Sequence, residues 1–369
     1  IPPNRLDPIG TKLAAFYPTP NVAGRGSGDS NFIANQTRSN PVNTYVARID
    51  HMFSERDRIY GRFLANLGNN IEDPIWPTPG TDPVHRLRFN TYYNASGTWF
   101  HHITPVTINE FRMGYDRRTF INRTGGAYSG LNGKLGIKGV DPQFFPLITL
   151  TGLAALGNSS NQERLQLPIR TNHFVDHLLM IRGNHSIKTG FEFRYGKNDD
   201  VNKNRPGGQF AFNDVASGSS LAALLLGWPQ SARIDAAQLI RSRMDTFGAF
   251  FQDDWKLSPR LTLNLGLRWD MDTPRWEAID NRQNSFDRAA INPACNCPGL
   301  VIWSGRNGVS RYAHNFDKNN FGPRVGLAWR VTDDWVVRAG ASVVYTGQYD
   351  QATPLVSNLG FSVQGDFVS

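Results

Sequence analysis

Cys295 and Cys297 are the only cysteines, and their type and spacing make them the first candidates for chemistry. Asn296 alone separates them, in a stretch rich in Pro and Gly. In an oxidising compartment such a pair forms a small disulfide ring or a bond to another chain, whereas in the cytosol it more often binds a metal. No His or carboxylate lies close enough in sequence to complete a metal-ligand set. We therefore expect a loop disulfide or two free thiols, and no metal site.

Other catalytic or phosphate-binding patterns are weak. His101 and His102 are adjacent, and adjacent residues of a strand point to opposite faces, so a strand could not use both on one ion. The Gly-rich residues 24–28 follow no strand pattern, and Gly133-Lys134 lacks the Ser or Thr that follows the Lys of a phosphate loop. No Ser, His and acid set has a suitable spacing. The sequence predicts neither an enzyme nor a cofactor.

The elements that must position the remaining polar residues are β-strands, because apolar and polar residues alternate with period two. The clearest case is 261–270, where Leu261, Leu263, Leu265, Leu267 and Trp269 share one face. This alternation predicts ten strands, at 44–53, 58–64, 88–100, 107–117, 173–182, 186–196, 241–255, 261–270, 321–331 and 335–345. Most reach about nine residues, the length with which a tilted strand crosses hydrocarbon.

The predicted connections alternate between short and long. Short turns join strands at 54–57, 103–106, 183–185, 256–260 and 332–334, while long loops occupy 65–87, 119–172, 197–240 and 271–320. Short turns on one rim and long loops on the other are typical of an antiparallel up-and-down transmembrane β-barrel. We therefore predict an all-β fold in which 44–369 form part of such a barrel and 1–43 form an extracellular-type loop segment.

Composition agrees with this class. The longest apolar run, 221–228, is too short to cross a bilayer as a helix. The cations behind the net charge of +8 are spread one or two per segment and are not gathered in a stripe or tail, so we expect no nucleic-acid partner. Aromatic residues at both ends of the strands are expected to form girdles at the two lipid interfaces. Those girdle residues are Phe53, Trp99, Phe100, Tyr115, Tyr195, Trp255, Trp269, Trp329, Trp335 and Tyr345.

If the apolar face meets lipid, the polar face must line the lumen, because Arg or Lys on the lipid face costs about 2–4 kcal/mol at mid-depth. The predicted lumen residues, which are also candidates for contact with an internal plug, are Arg48, Asp50, Lys188, Glu192, Arg194, Gln252, Asp254, Asn264, Arg268, Asp270, Arg324 and Arg338. For each of them the alternative is a solvated charge without an individual role.

Three stretches add a family resemblance. Residues 247–270 (FGAFFQDDWKLSPRLTLNLGLRWD) resemble the hairpin of TonB-dependent outer-membrane receptors in which a Gln-Asp-Asp-Trp element turns through Pro into a Leu-rich strand. Residues 44–63 and 321–345 look like two further hairpins of that family. The Pro-rich lead at 17–21 and the hairpin at 173–195 are similar to the Oar-like subgroup.

The resemblance implies active uptake of a scarce solute (a siderophore, a cofactor or an oligosaccharide) through a plugged barrel of about 22 strands. Ten strands would then be a fragment in which the plug is absent. The implied partners are outer-membrane lipid, an unknown small solute, and the TonB-ExbB-ExbD energising complex, which would act through a missing N-terminal part. Loop aromatics that could stack on the solute are Phe144, Phe145, Trp276 and Trp303, and the alternative for each is packing within the loops. The alternatives are a non-transporting surface barrel for adhesion or envelope organisation and a soluble β protein such as a propeller.

Overall fold

The computed structural model describes residues 1–26, 29–158, 162–235, 239–279, 284–312, 315–345, 347 and 362–366. Its strands are β1 (Arg38–Ser39), β2 (Val42–Met52), β3 (Asp57–Glu72), β4 (Arg86–Thr104), β5 (Thr107–Thr124), β6 (Leu147–Leu150), β7 (Gln162–Arg182), β8 (His185–Asn204), β9 (Gln209–Phe212), β10 (Ser231–Asp235), β11 (Leu239–Ser258), β12 (Leu261–Asp272), β13 (Trp276–Glu277), β14 (Asn284–Asn292), β15 (Cys297–Trp303), β16 (Asn320–Arg330), β17 (Val336–Ser342) and β18 (Ser362–Asp366). The α-helices are α1 (Pro8–Ala14), α2 (Leu131–Leu135) and α3 (Ser220–Leu226), and short 3₁₀ turns occupy Pro3–Arg5 and Pro79–Thr81.

A 12-stranded antiparallel sheet dominates the fold, in the order β1-β3-β4-β5-β7-β8-β11-β12-β16-β17, with β2 also paired to β3 and β13 to β11. Each of the ten predicted strands is present, and successive long strands are neighbours in the sheet, so the predicted up-and-down fold class is confirmed. The sheet is open, with β2 and β17 fully exposed at its two edges.

The strands extend further toward the long loops than the alternation predicted. β7 and β8 contain 21 and 20 residues, and β4 contains 19. About 9–11 residues of a tilted strand suffice to cross the hydrocarbon of a membrane. The remaining residues of these strands extend beyond that length at the long-loop rim. Much of what the sequence indicated as loop is therefore paired strand.

The two faces of the sheet differ as the alternation requires. Cross-strand partners Trp255, Leu263 and Leu327 share one face, which we call the apolar face. Partners Gln252, Gly266 and Arg324 share the other, which we call the polar face. Large apolar side chains are exposed on the apolar face, for example Phe251 at 51% and Leu267 at 48%. A face of this kind is stable against lipid rather than water.

The long loops contribute to a second folded unit, which the sequence analysis did not predict. Residues 1–17, 75–82, 128–158, 205–235 and 362–366 form what we call the loop module, built on α1, α2, α3 and the sheet β18-β10-β9-β6, in which β6 and β9 are parallel. Its core consists of Leu13, Trp76, Leu135, Phe145, Ile148, Leu150, Leu156, Phe212, Ala223 and Leu224. The apolar run at 221–228 thus lies mostly within α3 and packs in this module.

The N-terminal segment is held in the module by a close helix contact. The Asp7 side chain accepts a hydrogen bond from the Gly10 amide at 2.6 Å and so caps α1, while the Asp7 amide donates to the Leu225 carbonyl at 2.8 Å. A Cβ atom on Gly10 would lie 2.0 Å from the Leu224 carbonyl oxygen, so only glycine permits this approach of α1 to α3. Tyr17 donates to the Ala154 carbonyl at 2.7 Å, and burial raises the pKa of Tyr17.

The hairpin β14–β15 forms a sheet of its own, and at its tip Cys295 and Cys297 are joined by a disulfide around Asn296, which adopts a positive φ of 50°. Among the helices in the described part of the chain, none is long and apolar enough to cross a membrane.

A buried ion pair closes the long-loop end of the first strands. Glu72, the last residue of β3, is 3% exposed and accepts hydrogen bonds from Arg86 at 3.0 and 3.1 Å and from Arg38. Glu72 lies beyond the roughly 9–11 residues that cross the hydrocarbon. Burial alone would raise the pKa of Glu72, but the hydrogen bonds and charges of Arg86 and Arg38 outweigh it, so this pKa lies below its usual value.

We predict that Glu72→Gln lowers the stability of this junction by about 1–3 kcal/mol at pH 7. A carboxyl with a depressed folded-state pKa stabilises above its unfolded pKa, about 4.3 for Glu, and this contribution disappears as pH falls through the folded pKa. Unfolding of the parent and the variant, followed at pH 7 and at pH 3, should show the difference shrinking at acid pH. A difference that is unchanged between the two pH values would contradict the prediction.

Candidate functional site

The candidate site lies on the polar face, where the register aligns residues from distant strands. One row of cross-strand neighbours runs from Asp50 on β2 through Glu192 on β8 to Asp270 on β12. The other predicted lumen residues occupy the same face. They are Arg48, Lys188, Arg194, Gln252, Asp254, Asn264, Arg268, Arg324 and Arg338.

Glu192 is the centre of an ionic network on this face. It accepts from His173 Nε2 at 3.0 Å, from Arg194, and from Arg268 Nη2 at 3.1 Å. Arg268 also contacts Asp270, with Nη2 to Oδ1 at 2.7 Å. The Glu192 side chain is 17% exposed, so its charge depends on these three donors more than on solvent.

Gly248 makes the central contact of the network possible. Arg268 on β12 must cross β11 to reach Glu192 on β8, and on β11 the cross-strand neighbour of both Glu192 and Asp270 is Gly248. A Cβ atom on Gly248 would lie 2.7 Å from Arg268 Nη2. The absence of a side chain therefore provides the space through which the guanidinium reaches its second carboxylate.

A cavity of about 490 Å³ adjoins the network. Arg194, Thr246, Asp272, Asn320 and Arg324 contribute to its walls together with the network residues. Carboxylates and guanidinium groups alternate there, so the cavity suits a polar surface that carries both signs of charge. Across the described ranges, no group of three His, Cys, Asp or Glu side chains could hold a metal ion.

The remaining predicted lumen residues form separate groups. Arg48 holds Asp50 through hydrogen bonds of 2.7 and 2.8 Å, and its guanidinium lies 4.2 Å from the Tyr60 ring centroid. Asp254 accepts from Asn264 at 2.6 Å and from Gln252 at 3.5 Å. These groups are preformed, but the structure does not join them to the Glu192 network. Arg338 lies apart on the edge strand β17.

Sequence reasoning missed several polar-face residues. His173 belongs to the Glu192 network, and Glu110 contacts both Arg112 and His177, the latter at 3.8 Å. Asp116 accepts from Tyr92 at 2.5 Å and from Asn94 at 2.9 Å. The period-two rule applied to the predicted strands 88–100, 107–117 and 173–182 would have placed them all on the polar face, because they share its alternation.

Comparison with known proteins identifies the family. The model of the outer membrane beta barrel domain matches residues 1–369. The chain belongs to this family. It is therefore an outer-membrane protein, and the long sheet is barrel wall.

Three of the solved structures to which this barrel chain is similar are structures of receptors. It matches the ferric-catecholate import receptor Fiu from E. coli K12 in a closed form (14% identity, TM-score 0.40, 82% of this chain and 43% of that chain) and in an open form (12%, 0.40, 82% and 46%). It also matches a mutant of the ferric enterobactin receptor PfeA from Pseudomonas aeruginosa (12%, 0.27, 85% and 44%). The chain spans less than half the length of these receptors. None of the curated proteins compared with it matches.

In this outer-membrane barrel the apolar face carries most of the predicted girdle. Trp99, Trp255, Trp269 and Trp329 lie on it, as do Tyr115 and Tyr195. Phe53, Trp335 and Tyr345 lie just beyond the ends of β2 and β17 and are exposed. Phe100 does not belong to the girdle, because it pairs with Arg58 and Glu110 on the polar face.

The four loop aromatics that were predicted to stack on a solute differ in their exposure. Phe144 and Phe145 are 2% and 5% exposed, so in this structure they are not available to stack on a solute. The Phe145 ring packs edge-on against Phe16 in the loop module, at a centroid separation of 5.7 Å. Trp276 and Trp303 are only half-buried, and the Arg311 guanidinium lies 5.6 Å from the Trp276 ring centroid.

Proposed function

We propose that this chain is barrel wall of a TonB-dependent receptor of the Oar-like type, which takes up a scarce solute across the outer membrane. The observation that carries the proposal is the Glu192 network on the polar face of an outer-membrane sheet. An interior of this kind suits a polar plug, because outer-membrane transporters with about 22 strands hold one in the lumen. The resemblance of residues 44–63, 247–270 and 321–345 to receptor hairpins supports the same assignment. We propose no catalytic role.

The network would hold the plug and still let it move. Arg268 is shared between Glu192 and Asp270, and Glu192 accepts from three donors. When a plug group leaves, each wall charge therefore keeps a partner, and no buried charge is left alone at a cost of about 3–5 kcal/mol. This sharing lowers the free-energy difference between the state in which the plug contacts the wall and the state in which it is released. A pull by the TonB-ExbB-ExbD complex could then shift the equilibrium toward the released state.

The solute would bind at the long-loop rim, where Trp276 and Trp303 remain accessible in part. The Trp276 ring and the Arg311 guanidinium lie together there. Siderophores, cofactors and oligosaccharides carry flat rings, polar groups or both, so each of these solutes could stack on Trp276 and form hydrogen bonds with Arg311.

The test is solute accumulation by cells that carry the protein. Labelled siderophores, cobalamin and oligosaccharides would be supplied one at a time to cells with and without a functional TonB system. We expect one solute class to accumulate only with TonB, and Arg268→Gln to reduce its uptake while Arg260→Gln in a short turn does not. Accumulation that is independent of TonB, or no accumulation of any class, would contradict the proposal.

A second candidate is a non-transporting surface barrel for adhesion or envelope organisation. The packed core of the loop module favours it, because a rigid exposed unit suits binding to a macromolecule. This alternative predicts that removing the module abolishes surface binding while leaving solute levels unchanged.

A further inference from the structure

A row of cations crosses four adjacent strands on the apolar face, at the long-loop rim. Arg117 on β5 pairs directly with Arg170 on β7, Arg170 pairs with Lys197 on β8, and Lys197 pairs with Arg243 on β11. We call Arg117, Arg170, Lys197 and Arg243 the cation row. Like charges placed directly opposite each other on one sheet face repel, so this arrangement needs anions nearby.

The chain itself supplies little compensation. The Asp199 carboxylate forms an ion pair with Arg243 at 2.6 Å and lies 4.0 Å from the Arg241 guanidinium. Within the described ranges no carboxylate pairs with Arg117, Arg170 or Lys197, and Arg117 and Arg170 are exposed. Lys197 Nζ lies 4.9 Å from the centroid of the Tyr195 ring below it. These three cations therefore point outward, and the part of the chain that the structure describes gives them no carboxylate counter-ion.

The two cross-strand rows between the cation row and the short turns indicate where the cation row lies relative to the bilayer. One step toward the short turns, the row consists of Tyr115, Asn172, Tyr195 and Asp245. One step further, the row is apolar and consists of Met113, Phe174, Phe193 and Phe247, with Phe193 and Phe247 ring centroids 5.1 Å apart. The order from apolar to tyrosine to cation is the order from hydrocarbon to interface to headgroup.

The length of β5 indicates the same depth in the bilayer for the cation row. Arg117 is the eleventh residue of β5 counted from Thr107, and about 9–11 residues of a tilted strand cross the hydrocarbon. The cation row thus stands just outside the hydrocarbon at the extracellular surface. It faces outward, so it is separate from the polar face and from any solute path through the lumen.

We propose that the cation row binds the phosphate groups of a phosphorylated glycolipid in the outer leaflet, with its acyl chains lying on the apolar row below. Guanidinium groups take phosphate oxygens in pairs of charge-assisted hydrogen bonds, and basic clusters at membrane surfaces bind anionic headgroups. The inference rests on the outer-membrane location and does not depend on the solute-uptake proposal.

The test measures lipid binding by the delipidated, folded protein in detergent, using native mass spectrometry. The probes are a bisphosphorylated diglucosamine lipid, its dephosphorylated form, and inorganic phosphate as competitor. We expect the phosphorylated lipid to bind at least about tenfold more tightly than the dephosphorylated one, since each charge-assisted contact adds to affinity. Millimolar inorganic phosphate should compete only weakly, because it lacks acyl chains.

Variants localise the binding. The triple variant Arg117→Gln, Arg170→Gln, Lys197→Gln should lose about tenfold or more in affinity for the phosphorylated lipid. The matched control, Arg56→Gln, Arg182→Gln, Arg260→Gln, removes three exposed cations at the short-turn rim and should stay within about twofold. If the triple variant does not fold, Arg170→Gln alone should give a several-fold loss, and Arg117→Lys with Arg170→Lys should retain binding.

Three results would overturn the proposal. They are equal binding of the two lipid forms, an unchanged affinity in the triple or single variant, and an equal loss in the short-turn control. Complete competition by millimolar phosphate would instead identify a free-anion site and would also reject the lipid.

Discussion

Gly10→Ala is expected to release the N-terminal helix from the loop module. In most helix positions this exchange stabilises by about 1 kcal/mol, because alanine is the better helix former. At Gly10 the new Cβ atom would lie 2.0 Å from the Leu224 carbonyl oxygen, and backbone cannot yield as a flexible side chain does. We expect a net loss of about 3 kcal/mol in the contact between α1 and α3.

Limited proteolysis at Lys12 measures this release. Lys12 lies within α1 and donates to the Lys134 carbonyl at 3.0 Å, so cleavage requires the helix to open. A loss of about 3 kcal/mol raises the open population, and with it the cleavage rate, by roughly a hundredfold. Gly133→Ala is the matched control, because Gly133 is also helical and has open space around its position. Equal cleavage rates in the two variants would show that α1 is not clamped to α3.

Arg268→Gln is expected to produce the largest effect on the polar face. It removes the hydrogen bonds to Glu192 and Asp270 and leaves Glu192 with His173 and Arg194. Hydrogen bonds to charged groups contribute about 1.5–3 kcal/mol, and the partial exposure of Arg268 places our expectation near 2 kcal/mol. A double-mutant cycle with Glu192→Gln should give a coupling of about 1 kcal/mol or more.

Two comparisons isolate the network. Arg260 and Asp333 form an ion pair at 3.6 Å whose side chains are 61% and 85% exposed, so Arg260→Gln should cost less than about 0.5 kcal/mol. Gly248→Val keeps every charge but fills the space through which Arg268 reaches Glu192, and should reproduce much of the Arg268→Gln loss. Urea unfolding from lipid vesicles provides the measurement. A coupling near zero, or an equal cost for Arg260→Gln, would mean that the network does not stabilise the wall.

The alternation of side chains was sufficient to predict the barrel wall. Period-two patterns located all ten long strands, because each strand has one face in an apolar environment and one in a polar environment. The same rule places Trp99 and Phe100 on opposite faces of the sheet, although both were predicted to belong to the girdle. Strand ends were less predictable, since beyond the hydrocarbon both faces meet water or other loops and the alternation fades, as in the first third of β7 and the last third of β8, at their long-loop ends.

The loop module could not be predicted from local pattern. Its core joins residues such as Leu13, Trp76, Leu156 and Leu224, which come from four segments that are far apart in sequence. Phe144 and Phe145 therefore read as exposed loop aromatics, although both are buried. The Glu192 network was easier to predict, because its residues lie in regular strands, and only the reach of Arg268 across Gly248 required the structure.

Spin labels placed one at a time at residues 264–269 of β12 in native outer membranes test directly which face of the sheet meets lipid. We predict that labels at Leu265, Leu267 and Trp269 collide more with oxygen dissolved in lipid than with a water-soluble nickel chelate, because these residues lie on the apolar face. Labels at Asn264, Gly266 and Arg268, on the polar face, should not show this preference. Loss of this period-two alternation, or its reversal, would contradict the assignment of the polar face to the lumen and with it the proposed receptor function.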